Sequence, residues 1–234
     1  MVFDIVIATG NAGKAAEIAG IIEEAGVLTG RAHVRTLKDV IGSLPDVDEN
    51  GDTLRENARL KAYAARKALD AFREVKPESS AASIVVADDS GLFVDALGGR
   101  PGVYSARYGS PAVGSGTTDS NKPDSIPSSR EQVLLLLDEM RGVPAEERKA
   151  CFRCVMAIGY PDGNWSFTEG VCEGEIGFEP KGNNGFGYDP IFFLPSRGKT
   201  MAELSGAEKN AVSHRGIAVG HMAAAILSYI RKIT

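Results

Sequence analysis

Long apolar runs are missing from this chain of 234 residues. None approaches the roughly 18 residues that a membrane-crossing helix requires. Residues 1–9 also lack the basic start and small-residue cleavage pattern of a secretory signal, so a cytoplasmic protein without a membrane partner is expected. Cysteine is scarce and odd in number, three in all, which argues against a disulfide framework and suits reduced thiols. Cys151 and Cys154 have C-x-x-C spacing, but they lie in an apolar, β-prone segment, 150–160, where residues three apart point to opposite faces. With no second pair nearby, a zinc site is not expected. A basic excess is missing too: 26 Lys and Arg against 31 Asp and Glu leave a net charge of -5, so no nucleic-acid partner is expected. Any anionic ligand must be held by a local cluster of cations.

What is present is ordinary globular composition, 43% hydrophobic and 24% charged, on a chain long enough for one large domain or two small lobes. The stretch that organises the rest runs from Ile84 to Gly91, Ile-Val-Val-Ala-Asp-Asp-Ser-Gly. Four apolar residues rich in β-branching lead straight into two carboxylates, a hydroxyl and a glycine. Such a run suits a strand covered on both faces. Its carboxyl end is where open α/β sheets place ligands, although the same letters also suit a plain turn.

Residues 2–9 form a second apolar run, followed by Thr9-Gly10-Asn11-Ala12-Gly13-Lys14 and by Ile18, Ile21, Ile22 and Ala25 at helical spacing. This reads as strand, glycine loop and helix. Backbone N–H groups at a helix start with a lysine in the first turn make an anion site, unless Asn11 is only a cap and Lys14 only solvated surface. The loop is not a Walker A loop: Gly10 to Gly13 is too short, and Ala15 follows Lys14 where a magnesium-binding hydroxyl would stand. A metal partnering a phosphate here must therefore be bound elsewhere, by carboxylates.

After a short strand at 32–37 and an acidic loop at 45–52, Thr53 and Glu56 have capping-box spacing, which gives Glu56 a structural job. At about 100° per residue, Leu54, Ala58, Ala65, Leu69 and Phe72 share one stripe with Lys61 in its middle. That lysine either snorkels or points into a cleft. Arg55, Arg59, Arg66 and Lys67 lie off the stripe and read as solvated. Residues 110–129, rich in Ser, Gly, Pro and Asp, read as a flexible surface loop. Ser129 then caps a helix at 130–141 whose run 133–137 is expected to be largely buried. Residues 150–160 and 165–171 flank Pro161-Asp162-Gly163-Asn164, a hairpin signal. Glycines return at 181–190 around Phe186, Tyr188 and Asp189, and an amphipathic helix closes the chain.

These signals occur together in a recognisable order. Thr9-Gly10-Asn11-x-x-Lys14, Glu49-x-Gly51-x-Thr53-x-x-Glu56-Asn57-Ala58, Ala87-Asp88-Asp89-Ser90-Gly91-Leu92, Gly99-x-Pro101-Gly102-x-Tyr104-Ser105-Ala106-Arg107, Gly185-Phe186-Gly187-Tyr188-Asp189-Pro190 and Glu208-Lys209-x-x-x-Ser213-His214-Arg215-Gly216 follow one another along the chain. In this the sequence resembles the inosine triphosphate pyrophosphatase family, the house-cleaning purine nucleoside triphosphatases, over nearly its whole length. It departs in the long 110–129 loop and in Tyr188, where some members carry Trp.

The resemblance implies a single α/β domain of two lobes on a long, twisted, mixed sheet, with the active site in the cleft between them, and commonly a homodimer. It implies magnesium-dependent hydrolysis of inosine, deoxyinosine and xanthosine triphosphates to the monophosphate and pyrophosphate. On that basis Glu49 and Asp89 are the expected Mg²⁺ ligands, with Asp89 also activating water and Asp88 in support. Lys14 and Lys61 are the expected phosphate ligands, with Thr9, Gly10, Asn11 and Ser90 supplying hydrogen bonds. The base falls to Phe186, Gly187, Tyr188 and Asp189, with Lys209, His214 and Arg215 as candidate donors to the 6-oxo group. A buried donor there would reject adenine, whose amino group would face it unpaired. Two rival readings remain at this point: a pyrophosphatase for another modified nucleotide, and a nucleotide-binding regulator without turnover.

Overall fold

The computed structural model describes residues 2–26, 28, 30–76, 82–110 and 126–233. The elements run β1 (Phe3–Ile7), α1 (Ala12–Ala25), β2 (Ala32–Thr36), α2 (Leu37–Ile41), α3 (Leu54–Val75), β3 (Ser83–Val94), α4 (Ser129–Glu139), β4 (Lys149–Gly159), β5 (Trp165–Ile176), β6 (Phe192–Leu194), β7 (Lys199–Thr200), α5 (Gly206–Val212) and α6 (His214–Ile233). One seven-stranded sheet has the order β2-β1-β3-β4-β5-β6-β7. β1 is parallel to β2 and β3, whereas β6 is antiparallel to β5 and β7, so the sheet is mixed and the fold is of the expected α/β class.

Two compact units make up the chain, one drawn from Met1–Asp89, Cys154–Gly170 and His214–Thr234, the other from Ser90–Arg153 and Val171–Ser213. The boundaries fall inside β3, β4 and β5. In the first unit, every residue of β1 is buried, and Ile5 and Ile7 share a core with Ile18 and Ile22 of α1 and Met222 and Ile226 of α6. In the second, Leu92 and Val94 share a core with Val133, Leu136, Phe152 and Phe192.

β3 departs from the sequence expectation. It does not stop at the carboxylates but runs on to Val94, twelve residues in all. Gly91 serves close approach rather than a turn: a Cβ there would overlap the Gly102 carbonyl oxygen, at the start of the 3₁₀ segment Gly102–Arg107. Ser105 ties the two segments, accepting from the Leu92 N–H at 2.8 Å and donating to the Gly102 carbonyl at 2.6 Å.

Three smaller expectations also change. Ser128, not Ser129, caps α4 in a capping box with Glu131. Within 133–137, Val133 and Leu136 are buried but Leu134 is 52% exposed, because a helix presents only one stripe to a core. Arg66 is not solvated: its guanidinium donates to the Ser83 and Gly159 carbonyls at 2.7 and 3.0 Å. Positions 111–125 of the expected flexible loop lie outside the described residues. Cys151, Cys154 and Cys172 are buried free thiols. Cys151 neighbours Arg153 and Cys154 neighbours Met156, the alternation a strand imposes. Among the described residues, no helix is long and apolar enough to cross a membrane.

Candidate active site

The first group of functional side chains is built where β1 gives way to α1. Asn11 caps the helix, its Oδ1 accepting from the Lys14 N–H at 3.1 Å, and Thr9 Oγ1 accepts from the Asn11 N–H at 3.2 Å. Asn11 is thus a cap, as one of the two sequence readings has it. The cap also fixes Lys14 in the first turn, where its Nζ lies 3.0 Å from Asp88 Oδ2. Arg215, near the start of α6 and 2% exposed, adds a second cation, with Nε 3.7 Å from the same oxygen and its Nη1 paired with Glu17. Burial alone would push the Asp88 carboxyl up. Lys14, Arg215 and Lys61 outweigh that and hold it well below the usual carboxylate range.

The neighbouring carboxylate is treated differently. Asp89 Oδ1 accepts from Lys61 Nζ at 2.9 Å, and the same Nζ donates to Glu49 Oε2 at 3.0 Å. Lys61 on the apolar stripe of α3 therefore reaches two acids instead of snorkelling to water. Burial disfavours its charge, but Asp89, Asp88 and Glu49 together raise its pKa, so it stays an ammonium. Asp89 shows the opposite balance from Asp88: burial, aided by Glu49, prevails over Lys61 and Lys14 and raises its proton affinity. Glu56 takes no part, closing the capping box with Thr53 at the start of α3.

Two residues of this group carry no role in the sequence reading. Asn57 is 1% exposed and donates from Nδ2 to Asp89 Oδ2 at 3.3 Å while its Oδ1 accepts from the Gly51 N–H at 2.8 Å. Its signal was there: it is a second polar residue four positions before Lys61, on the same helical face. Glu17 stands three residues after Lys14 on α1, and the helical period alone would have placed it beside that lysine.

Glu49 and Asp89 are the carboxylates that could hold a metal. Among the described residues, no group of three or more His, Cys, Asp or Glu comes together in a metal-holding arrangement. Two carboxylates converging on one cationic position do not make an all-protein cage. They do suit a hydrated divalent cation that keeps several waters.

The second unit holds its own polar cluster in the glycine-rich segment. Asp189 Oδ2 accepts from Lys209 Nζ at 2.7 Å and from the Phe186 N–H at 2.9 Å, with both charged residues almost fully buried. Lys209 Nζ also lies 4.8 Å from the centroid of the Phe186 ring, which is 37% exposed. Gly185, at φ 75°, has no room for a side chain, since a Cβ would overlap Asp189 Oδ2, and Gly187 sits at φ 62°. Tyr188 differs from expectation: it is 4% exposed, packs in the core of this unit, and donates its hydroxyl to the Ser105 carbonyl at 3.0 Å. Such a ring has no face to offer a base. Ser90 is half-buried on β3. His214 is buried at the head of α6. Arg215 stands with Asp88 and Glu17.

A sequence profile of the Ham1 family matches residues 5–225. The dITP/XTP pyrophosphatase of Geobacillus kaustophilus is 46% identical over 92% of this chain and 90% of its own length. The protein of that name from Bacillus subtilis is 40% identical over 92% and 93%. Among solved structures, the Ham1 protein of Staphylococcus aureus aligns with a TM-score of 0.72 at 36% identity, covering 97% of this chain and 99% of that one. A HAM1 protein from Coxiella burnetii aligns at 0.75 and 33%, covering 97% and 100%. A match of this extent places the chain in the Ham1 family.

Proposed function

We propose that the protein hydrolyses inosine, deoxyinosine and xanthosine triphosphates to the monophosphate and pyrophosphate, which keeps these nucleotides out of nucleic acid. The observation that carries this reading is the division of labour between adjacent acids. Asp88 is neutralised by Lys14 and Arg215, while Asp89, of raised proton affinity, stands with Glu49 around Lys61. The names of the relatives from Geobacillus and Bacillus support the same activity.

In this reading Glu49 and Asp89 hold Mg²⁺, which when bound lowers the pKa of water and offsets charge on the phosphates. Asp89, set beside Glu49 by Lys61, takes a proton from the water that attacks the α-phosphorus. Lys14 and Lys61 neutralise the departing pyrophosphate. Thr9, Gly10 and Asn11 present the start of α1 to a phosphate, and Ser90 adds a hydroxyl. Asp88 keeps Lys14 and Arg215 in place, so Arg215 serves the phosphate end. At the base, Phe186 stacks, Gly187 gives room, and Lys209, held by Asp189, donates to the 6-oxo group. His214 is assigned a second base contact. A homodimer in the cytoplasm completes the proposal.

Product analysis with inosine triphosphate and Mg²⁺ tests the reaction: pyrophosphate supports it, and free phosphate alone overturns it. Steady-state rates with inosine, xanthosine, adenosine, guanosine and thymidine triphosphates test the base assignment, which equal rates would defeat.

A further inference from the structure

Asn57 links the two acids assigned to the metal, and it does so through a side chain whose orientation is unambiguous. The Gly51 N–H can only donate, so the atom 2.8 Å from it is the amide oxygen, and the NH₂ group must face Asp89 Oδ2 at 3.3 Å. Lys61 occupies the other oxygen of Asp89, at 2.9 Å. Both oxygens are therefore held in place, and the rotation of the carboxylate is fixed.

The other end of Asn57 acts on the segment carrying Glu49. Gly51 packs directly on α3: a Cβ there would come within 2.7 Å of both Asn57 Oδ1 and Glu56 Cβ. The acidic segment thus has its backbone bonded, two residues beyond Glu49, to the same amide that grips Asp89. Asn57 is 1% exposed, which removes competition from water for both bonds.

We propose that Asn57 is a positioning residue that sets Glu49 and Asp89 relative to each other, so that the pair is already arranged when the metal and triphosphate arrive. This rests on the assignment of those two acids under the proposed function. Residues that orient metal ligands typically matter by about 10- to 100-fold in metal affinity or activity.

Two substitutions separate this from a merely structural role. Asn57→Asp keeps an oxygen to accept from Gly51 but sets a carboxylate against Asp89. Asn57→Ala removes both bonds. For Asn57→Asp, hydrogen exchange of the Gly51 amide is expected to stay as slow as in the unaltered protein, while kcat for inosine triphosphate falls about 10- to 100-fold with KM little changed. For Asn57→Ala, Gly51 exchange accelerates, and Mn²⁺ binding to the nucleotide-free protein, read by electron paramagnetic resonance, weakens by about tenfold or more. Unaltered kcat in Asn57→Asp, or unaltered Mn²⁺ affinity in Asn57→Ala, overturns the proposal. If Asn57→Ala does not fold, the kcat and exchange results for Asn57→Asp decide the matter. If the unaltered protein does not turn over inosine triphosphate, the functional reading fails, and the Mn²⁺ and exchange measurements still judge Asn57.

Discussion

Asp88 and Asp89 are chain neighbours on β3 whose carboxylates are held by different cations: Asp88 Oδ2 lies 3.0 Å from Lys14 Nζ, and Asp89 Oδ1 lies 2.9 Å from Lys61 Nζ. Successive strand residues point to opposite faces, so a single Asp-Asp pair serves two environments. One is rich in cations and depresses proton affinity; the other is buried with a further acid and raises it. Separation of this kind lets neighbouring carboxyls take different tasks at one pH.

The depressed proton affinity of Asp88 makes it a source of stability. Its folded pKa lies below the unfolded value of about 3.9, so its contribution is complete above that pH and is lost as pH falls toward the folded value. Asp88→Asn should cost about 3 kcal/mol near neutrality, the low end for a broken buried pair, since Lys14 is partly solvated and Glu17 still holds Arg215. Denaturant titrations from neutral to acid pH should show a shallower loss of stability for the variant. Parallel curves would remove Asp88 from this role.

Lys61 stands where Glu49 and Asp89 converge, so its ammonium shields two acids when no divalent cation does. Lys61→Met should lower the melting temperature in chelator, because it leaves Asp89 buried beside Glu49 without its closest cation. Added Mg²⁺ should then restore more stability in the variant than in the unaltered protein, by preferential binding to the folded state. Activity should fall, since the same lysine is assigned to the phosphates. Thermal scans with and without Mg²⁺ check this. Equal gains from Mg²⁺ in both proteins would refute it.

Much of this site was legible because its residues stand in local patterns. The Thr53/Glu56 capping box, the stripe that exposed Lys61 as out of place, and the strand, loop and helix around Lys14 are all short-range regularities. What escaped depends on partners distant in the chain. Gly91 looked like the end of a strand because the Gly102 carbonyl it accommodates comes eleven residues later and is reached by folding back. Arg66 looked solvated because Ser83 and Gly159 carry no sign of needing a donor. Tyr188 looked like a stacking ring among glycines, and only the distant Ser105 carbonyl gives its hydroxyl a place in the core.

The thiols should be inert in the folded protein. Burial, with a smaller push from the Glu173 charge, raises the Cys172 pKa to about 11. The reactive species is the thiolate, so alkylation at about pH 8 should leave Cys172 unmodified until denaturant is added. Mass spectrometry of peptides from native and unfolded samples distinguishes the two states. Rapid labelling of the native protein would contradict the burial.

Gly185→Ala tests whether the Asp189–Lys209 pair serves the base. The backbone at Gly185 has φ 75°, where a side chain costs about 1–3 kcal/mol, and the added Cβ would overlap Asp189 Oδ2. Relief requires Asp189 to move, and that oxygen accepts from both Lys209 and the Phe186 N–H. One methyl group therefore disturbs the proposed 6-oxo donor and the proposed stacking ring together, while the acids and lysines assigned to the phosphates keep their own partners. KM for inosine triphosphate should rise more than kcat falls, and the preference for inosine over adenosine triphosphate should narrow as the donor loses its fixed position. A variant with weakened stability but an unchanged preference would separate this ion pair from base recognition and leave it a purely structural fastening.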